Sequence, residues 1–453
     1  MKKSVLILCV VCVSSMFGFA NKPASLNRWK VGNKSTNLST LVLYSGQSAV
    51  YDGNVNKRIF KNFDFKALIT HSYGAKASFR FHSDANLSKG YSVLIGNPDD
   101  DRRRSGSLSS VRNLYRPHAT TFATSFELNI RVEGKRILVL IDGQTVVDYL
   151  EPAAPYRTTA NAEQLLSSGL IGFHVDKGAL SVVKAAITIL DDNLPSYPSG
   201  REPIDELDDA VIRLQQKNFP IVDYHVHQPR GMDTEVLQKK SLEDGYEYGI
   251  AINCGVGFPV STDEQAKEYF KSNNNMPFFK AMQAEGREWV GTFSKETFDL
   301  FDYVFTDALT FHDHKNRRTM LWSDKTVIID IPEEEYMDMI IDRTLKVLNE
   351  EPIDIWVNPT LLGNTMMAEY DKFWSDKRVA MIIKALKDNN IALEINARYK
   401  LPSAKIIKAA KDAGVKFTLG TNNGNEQQLD RLEYSLKMVE ECGLTIEDMW
   451  FPK

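Results

Sequence analysis

A chain of 453 residues with 43% hydrophobic residues, 25% charged residues and a net charge of −4 is too long for one ordinary core. Its composition is that of a globular protein of two domains, or of one barrel with a large extension, and we read it as two. There is no basic surplus to neutralise phosphates along a nucleic acid, so that class of partner is excluded.

Residues 1–20, MKKSVLILCVVCVSSMFGFA, join two lysines, an apolar run and a small-x-small end at Gly18-Phe19-Ala20. That is the pattern of a cleavable signal, cut after Ala20, and it predicts a periplasmic or secreted protein. Cys254 and Cys442 are the cysteines left after cleavage. Two cysteines make no disulfide framework, and their spacing does not say whether they pair. No later apolar run is long enough to span a bilayer.

From about residue 39 to 190 the chain shows short alternating runs divided by turn residues, the pattern of an all-β sandwich, and the domain is placed at 21–190. In SFELNIRVEGKRILVLIDGQTVVDYL, Glu133-Gly134-Lys135 and Asp142-Gly143-Gln144 separate three runs of strand length, which predicts a three-stranded antiparallel meander. This meander, DFKALITHSYGAKASFRFHSD and GLIGFHVDKGALSVVKAAITIL resemble the 3-keto-disaccharide hydrolase domain. The resemblance implies a concanavalin A-like jelly roll and sugar-related chemistry, without assigning a nucleophile. No strand carries the closely spaced pair of carboxylates that glycoside cleavage needs. The run Asp99-Asp100-Asp101-Arg102-Arg103-Arg104 reads as a solvated loop. His71, His82, His118 and His174 are scattered singly, as hydrogen-bonded or surface histidines are.

DDNLPSYPSGREPIDELDD, with three prolines, reads as a linker leading into a short helix at DDAVIRLQQKN, so that 191–218 joins the two halves. From 219 to 453 apolar strands alternate with segments of helical spacing. The strands are FPIVDYH, YGIAINC, FFKAMQAE, DYVFTDAL, DIWVNP, IALEIN and KFTLGTN. Seven such units predict a distorted (β/α)7 barrel, with its chemistry where strands end and loops begin.

The polar residues at those ends form the candidate site. His225 and His227, two apart on one strand, point the same way with Asp223, and can meet one ion through ring nitrogens. Asn253, Cys254, Glu285, Asp307, Asn358, Glu394, Asn396, Asn422 and Asn423 end the other strands, and Cys254 reads either as a soft ligand or as a buried small hydrophobe. Asn358, Asn396, Asn422 and Asn423, with Arg287, Arg317, Arg318 and Arg398, could bind the hydroxyls or a carboxylate of a sugar-like ligand; turn chemistry is the other reading of the asparagines. Trp289, Trp322 and Trp356 could add apolar faces, though Trp356 reads as core. The stretch after the fourth strand, with His312 and His314, is long enough to be a lid or a solvated loop.

The opening H-x-H of His225 and His227, Glu285 in KAMQAEGREW, and LEINARYKLPSAKIIKAAKDAGVKFTLG resemble the polymerase-and-histidinol-phosphatase (PHP) family. That resemblance implies a seven-stranded barrel holding up to three metal ions. This chain departs from the family at Asn253-Cys254, at Asn358-Pro359 and at Asn422-Asn423-Gly424, where ligand histidines and aspartates are replaced. What remains implies at most one divalent ion, zinc, manganese or similar, on His225, His227 and Glu285, with Glu394 or Asp307 moving a proton. The expectation is an exported hydrolase or lyase acting on a glycoside or oxidised (3-keto) sugar. The alternatives are a metal-dependent PHP-type phosphoesterase and a non-catalytic carbohydrate-binding protein with an inactive barrel.

Overall fold

The computed structural model describes residues 28–32, 34–35, 40–52, 59–117, 124–273 and 275–452. The expected signal segment and His118 lie outside the described residues. The first half contains strands Trp29–Val31 (β1), Lys34–Ser35 (β2), Leu41–Tyr44 (β3), Ser48–Tyr51 (β4), Phe63–His71 (β5), Lys76–Ser83 (β6), Tyr91–Ile95 (β7), Phe126–Glu133 (β8), Arg136–Ile141 (β9), Gln144–Leu150 (β10), Leu170–Lys177 (β11) and Ala179–Ile189 (β12). They form two six-stranded sheets, β2-β1-β4-β11-β6-β7 and β10-β9-β8-β5-β12-β3, a sandwich consistent with a jelly roll.

Alternation builds the core. In β5, Phe63, Phe65, Ala67 and Ile69 are buried while the residues between them are half-buried. Phe65 stacks on Phe79 of the opposite sheet at 4.1 Å between ring centroids. The meander is β8-β9-β10, and Asp142 and Gly143 take positive φ (50° and 80°) in the tight turn joining β9 to β10. His82 donates to and accepts from backbone within the sandwich, and His174 bonds Ser48, so neither is poised for a ligand.

In the second half, Val222–Val226 (β13), Glu247–Cys254 (β14), Phe279–Ala284 (β15) and Tyr303–Thr306 (β16) run parallel; the hairpin Thr310–His312 (β17) and Arg318–Met320 (β18) follows. Ile355–Trp356 (β19), Ala392–Asn396 (β20) and Phe417–Gly420 (β21) complete a closed barrel in the order β13-β14-β15-β16-β19-β20-β21. Helices 234–244, 263–272, 333–350, 376–388, 404–413 and 433–441 alternate with these strands. The interior is filled by Tyr224, Phe279, Tyr303, Phe305, Ile355 and their neighbours, so it is a packed core rather than a channel. Tyr115, from the sandwich, packs into that interior core, and its hydroxyl donates to the carbonyl of Asn218. Trp450 packs on Tyr224 and Tyr303 from the same end.

Residues 191–218 are bound to both halves. Lys135 of the meander donates to Ser196, and Arg201 donates to Asp148 at 2.5 Å. On helix 210–215, capped by Asp209 through Val211 N–H, Ile212 packs into the sandwich core and Leu214 into the barrel core. The acidic-basic run also serves this junction: Arg103 pairs with Asp101 and donates to Asn218, and Arg102 lies over the ring of Phe451.

Candidate functional site

The C-terminal ends of the barrel strands carry a buried polar network centred on His225 and Glu394. Nδ1 of His225 lies 2.6 Å from Oε1 of Glu394, and both side chains are 1% exposed. The other carboxylate oxygen of Glu394 accepts from the backbone N–H of Asn358 (2.6 Å) and from Nδ2 of Asn396 (2.9 Å). In a neutral imidazole a carboxylate at Nδ1 keeps the proton on that nitrogen and leaves Nε2 with the lone pair. That Nε2 is buried and has no hydrogen-bond partner. The ring of Phe305 lies 4.6 Å from the imidazole.

Asp223 does not join the centre as a free acid. It accepts from Thr421 N–H and Oγ1–H and from the N–H of His225, tying β13 to the end of β21; burial pushes its carboxyl up to about 6. Gly420 is the residue that sequence reasoning missed. A Cβ there would come within 2.1 Å of Glu394 Oε1 and 2.9 Å of the His225 Cβ, so only glycine lets the pair meet. An isolated glycine at a strand end is the signal that could have found it.

Glu285 is half-buried and accepts from Asn253 Nδ2 (2.6 Å) and Gln283 Nε2 (3.0 Å). Burial, with the charge of Asp307 adding to it, pushes its carboxyl up to about 7, against the pull of Asn253, Arg287 and His225. Asp307 is buried, accepts from the N–H of Leu309, and is raised by the same loss of water. Arg287 donates to Glu351 and Thr306, leaving its buried Nε without a partner. Burial, with His225 and Arg398 adding to it, brings the imidazole of His227 down to about 3. Its ring centroid is 5.3 Å from that of His225.

Most of the expected sugar-binding amides are engaged within the protein. Asn358 Oδ1 accepts from both Asn396 and Asn422, and the Oδ1 of Asn396 accepts from Tyr399 N–H. Asn423 clamps the backbone of His227 at both N–H and C=O. Asn358 and Asn422 sit at φ of 47° and 46°, so their left-handed turns and their network role coincide. Arg398 is exposed at the mouth and donates to the carbonyl of Asn422. Arg317 is instead held by Asp313 and Asp330 on the β17-β18 hairpin, and Arg318 sits opposite His312. His314 also pairs with Asp330. Trp289 and Trp356 are buried, their N–H groups donating to Glu351 and to the carbonyl of Asp307, while Trp322 is exposed. Cys254 is fully buried in the core and burial pushes its thiol up to about 12; it and Cys442 are free.

The donors expected for a divalent ion do not fit one as arranged. Among the described residues no three of His, Cys, Asp and Glu gather as a metal-holding group. The carboxylate of Glu285 faces two amides, and that of Glu394 is spent on Nδ1 of His225 and two further donors.

Residues 22–186 match the family of the 3-keto-alpha-glucoside-1,2-lyase-like domain. Among solved structures, the chain is similar to a protein from Parabacteroides distasonis described as a glycosyl hydrolase, at 13% identity over 36% of this chain and 89% of that one, with a TM-score of 0.31. The carbohydrate-binding module CBM66 from Bacillus subtilis is matched at 14% identity over 36% of this chain and 96% of that one, TM-score 0.27. The alginate lyase AlgAT5 of polysaccharide lyase family 7 is matched at 11% identity over 37% and 96%, TM-score 0.25. No curated protein matches.

Proposed function

We propose that this chain is an exported carbohydrate-active enzyme, a hydrolase or lyase on a glycoside or 3-keto sugar, and that its barrel, related to the PHP family, moves protons at the His225–Glu394 pair. The observation that carries this reading is the unpartnered, buried Nε2 of His225, whose opposite nitrogen is held by a carboxylate. A buried polar atom without a partner is costly, and it is what a base waiting for a substrate proton presents. The match of residues 22–186 to the 3-keto-alpha-glucoside-1,2-lyase-like domain supports the substrate class.

A ketone at C3 of a glucoside acidifies the C2–H bond, and the chemistry then needs one base and one acid. On this reading Nε2 of His225 takes the C2 proton, the electron pair forms the C1=C2 bond, and the C1–O bond breaks. The departing oxygen takes a proton from Glu285. Glu394 is a positioning residue rather than the proton carrier: its oxygens are taken by Nδ1 of His225, the N–H of Asn358 and Nδ2 of Asn396, and its charge stabilises the imidazolium that forms. The charge of Asp307 keeps the proton on Glu285 by like-charge repulsion.

Turnover of 3-keto-α-glucosides by the mature protein tests the reading. His225→Gln is expected to reduce it by at least about 10³-fold, with the fold intact by circular dichroism. Elemental analysis separates proton transfer from metal chemistry. Turnover unchanged by chelator fits the account; a stoichiometric divalent ion that is lost in His225→Gln replaces it.

A further inference from the structure

A second site lies away from the barrel mouth, where the sandwich, the joining segment and the first barrel helix meet. There a cavity of about 490 Å³ is lined by Arg112, Arg136 and Tyr149 of the sandwich, Arg201 of the joining segment, and Lys239 and Glu243 of helix 234–244. Three separate stretches of chain thus enclose one polar cavity, which the proton-transfer centre does not use.

Of the four cations on its wall, three have a carboxylate partner. Arg136 and Arg201 both donate to Asp148, at 2.6–2.8 Å and 2.5 Å. Glu206, also on the wall, is taken by Arg157 at 2.7 Å. Arg112 is 6% exposed, and among the described residues no carboxylate pairs with it. The one hydrogen bond its guanidinium makes there is from Nη1 to the carbonyl of Val111; Nε is buried without a partner. Its guanidinium carbon lies 5.3 Å over the ring of Tyr149, and a Cβ on Gly245 would come within 2.5 Å of it, so the side chain is locked in place. A guanidinium largely withdrawn from water with a buried donor idle is costly to hold, unless an anion completes it.

We propose that this junction cavity binds a small sugar carboxylate, a uronate, with Arg112 receiving the carboxylate. A planar guanidinium matches a carboxylate, and the buried ring of Tyr149 beneath it backs the guanidinium. A dianion such as phosphate is disfavoured because the wall also carries Glu202, Glu243 and Asp244. Those acids instead accept hydroxyl protons, as a polyol with one negative charge requires. Ligand held there would bridge sandwich and barrel.

Calorimetric titration of the full mature chain with glucuronate, glucose and inorganic phosphate tests the assignment. Glucuronate is expected to bind at least tenfold more tightly than glucose or phosphate. Arg112→Met is expected to weaken glucuronate at least tenfold without lowering the melting temperature, because an idle buried charge is replaced by an apolar chain of similar length. Should that variant fail to fold, Lys239→Glu, on an exposed side chain, is expected to weaken glucuronate while leaving the melting temperature unchanged. His225→Gln leaves this binding intact, which separates the cavity from the barrel mouth. No glucuronate binding, equal binding of phosphate, binding unchanged in the Arg112 or Lys239 variant, or binding abolished by His225→Gln overturns the proposal.

Discussion

His225 has one nitrogen held by Glu394 and one without a partner. Replacing Glu394 by Gln keeps the shape but removes the charge facing Nδ1. It is expected to lower kcat about 10²–10⁴-fold, the range of a lost acid–base arrangement, with KM little changed. Gly420→Ala reaches the same pair sterically, since its Cβ would overlap Glu394 Oε1. We expect a comparable fall in kcat plus a lower melting temperature; full activity in that variant would show that the pair can separate without consequence. His82 supplies a pH test outside the centre. Its imidazole is pushed down to about 4 by burial. The unfolded chain takes up that proton near 6.5, so between pH 6.5 and 4 the unfolded state binds more protons. Stability from this residue is therefore complete above about pH 6.5, is lost as the pH falls towards 4, and amounts to roughly 3 kcal/mol. Denaturant titrations at pH 7 and pH 4 should show a smaller loss in His82→Gln than in the parent; equal losses would contradict this.

At the scale of elements, Asp223 joins the first strand of the barrel to the end of the last through two hydrogen bonds that it accepts from Thr421, and accepts a third from His225 on its own strand, where the β13-β21 ladder itself has one register pair. Asp223→Ala leaves the Thr421 N–H and hydroxyl unpaired in the core. Chemical denaturation should report a loss of about 2–4 kcal/mol. All seven barrel strands were legible in the sequence, because each is an apolar run with polar residues at or near its end, and the helices between them have their own period. The meander was legible for the same reason, with Gly134 and Asp142-Gly143 marking the turns. The centre was legible only in part. His225 and Glu394 stand out by type and place, but sequence does not say where an amide spends its hydrogen bonds. Asn396 and Asn423 therefore read as ligand-binding groups while they hold Glu394 and His227 in position. Arg317 read as a mouth residue because the hairpin that carries it away, Thr310–His312 with Arg318–Met320, has strands of three residues, too short to show a period.

For the whole molecule, the joining segment matters more than its proline-rich composition implied. Ile212 packs with the sandwich and Leu214 with the barrel from one short helix, while Tyr115 of the sandwich enters the barrel's interior core. None of these pairings is local, so no spacing in the sequence announces them. The two halves are expected to unfold together: far-ultraviolet and near-ultraviolet circular dichroism should give one coincident thermal transition, and Tyr115→Ala should lower it for both. Two separated transitions in the parent protein would contradict a shared core. Among the described residues no helix is long and apolar enough to cross a membrane. The central claim, that the barrel mouth transfers protons on a sugar, is tested most directly by the rate of 3-keto-α-glucoside cleavage in the parent protein and in His225→Gln, assayed side by side with chelator present. The account predicts cleavage by the parent and its loss in the variant; cleavage that survives in His225→Gln would contradict it.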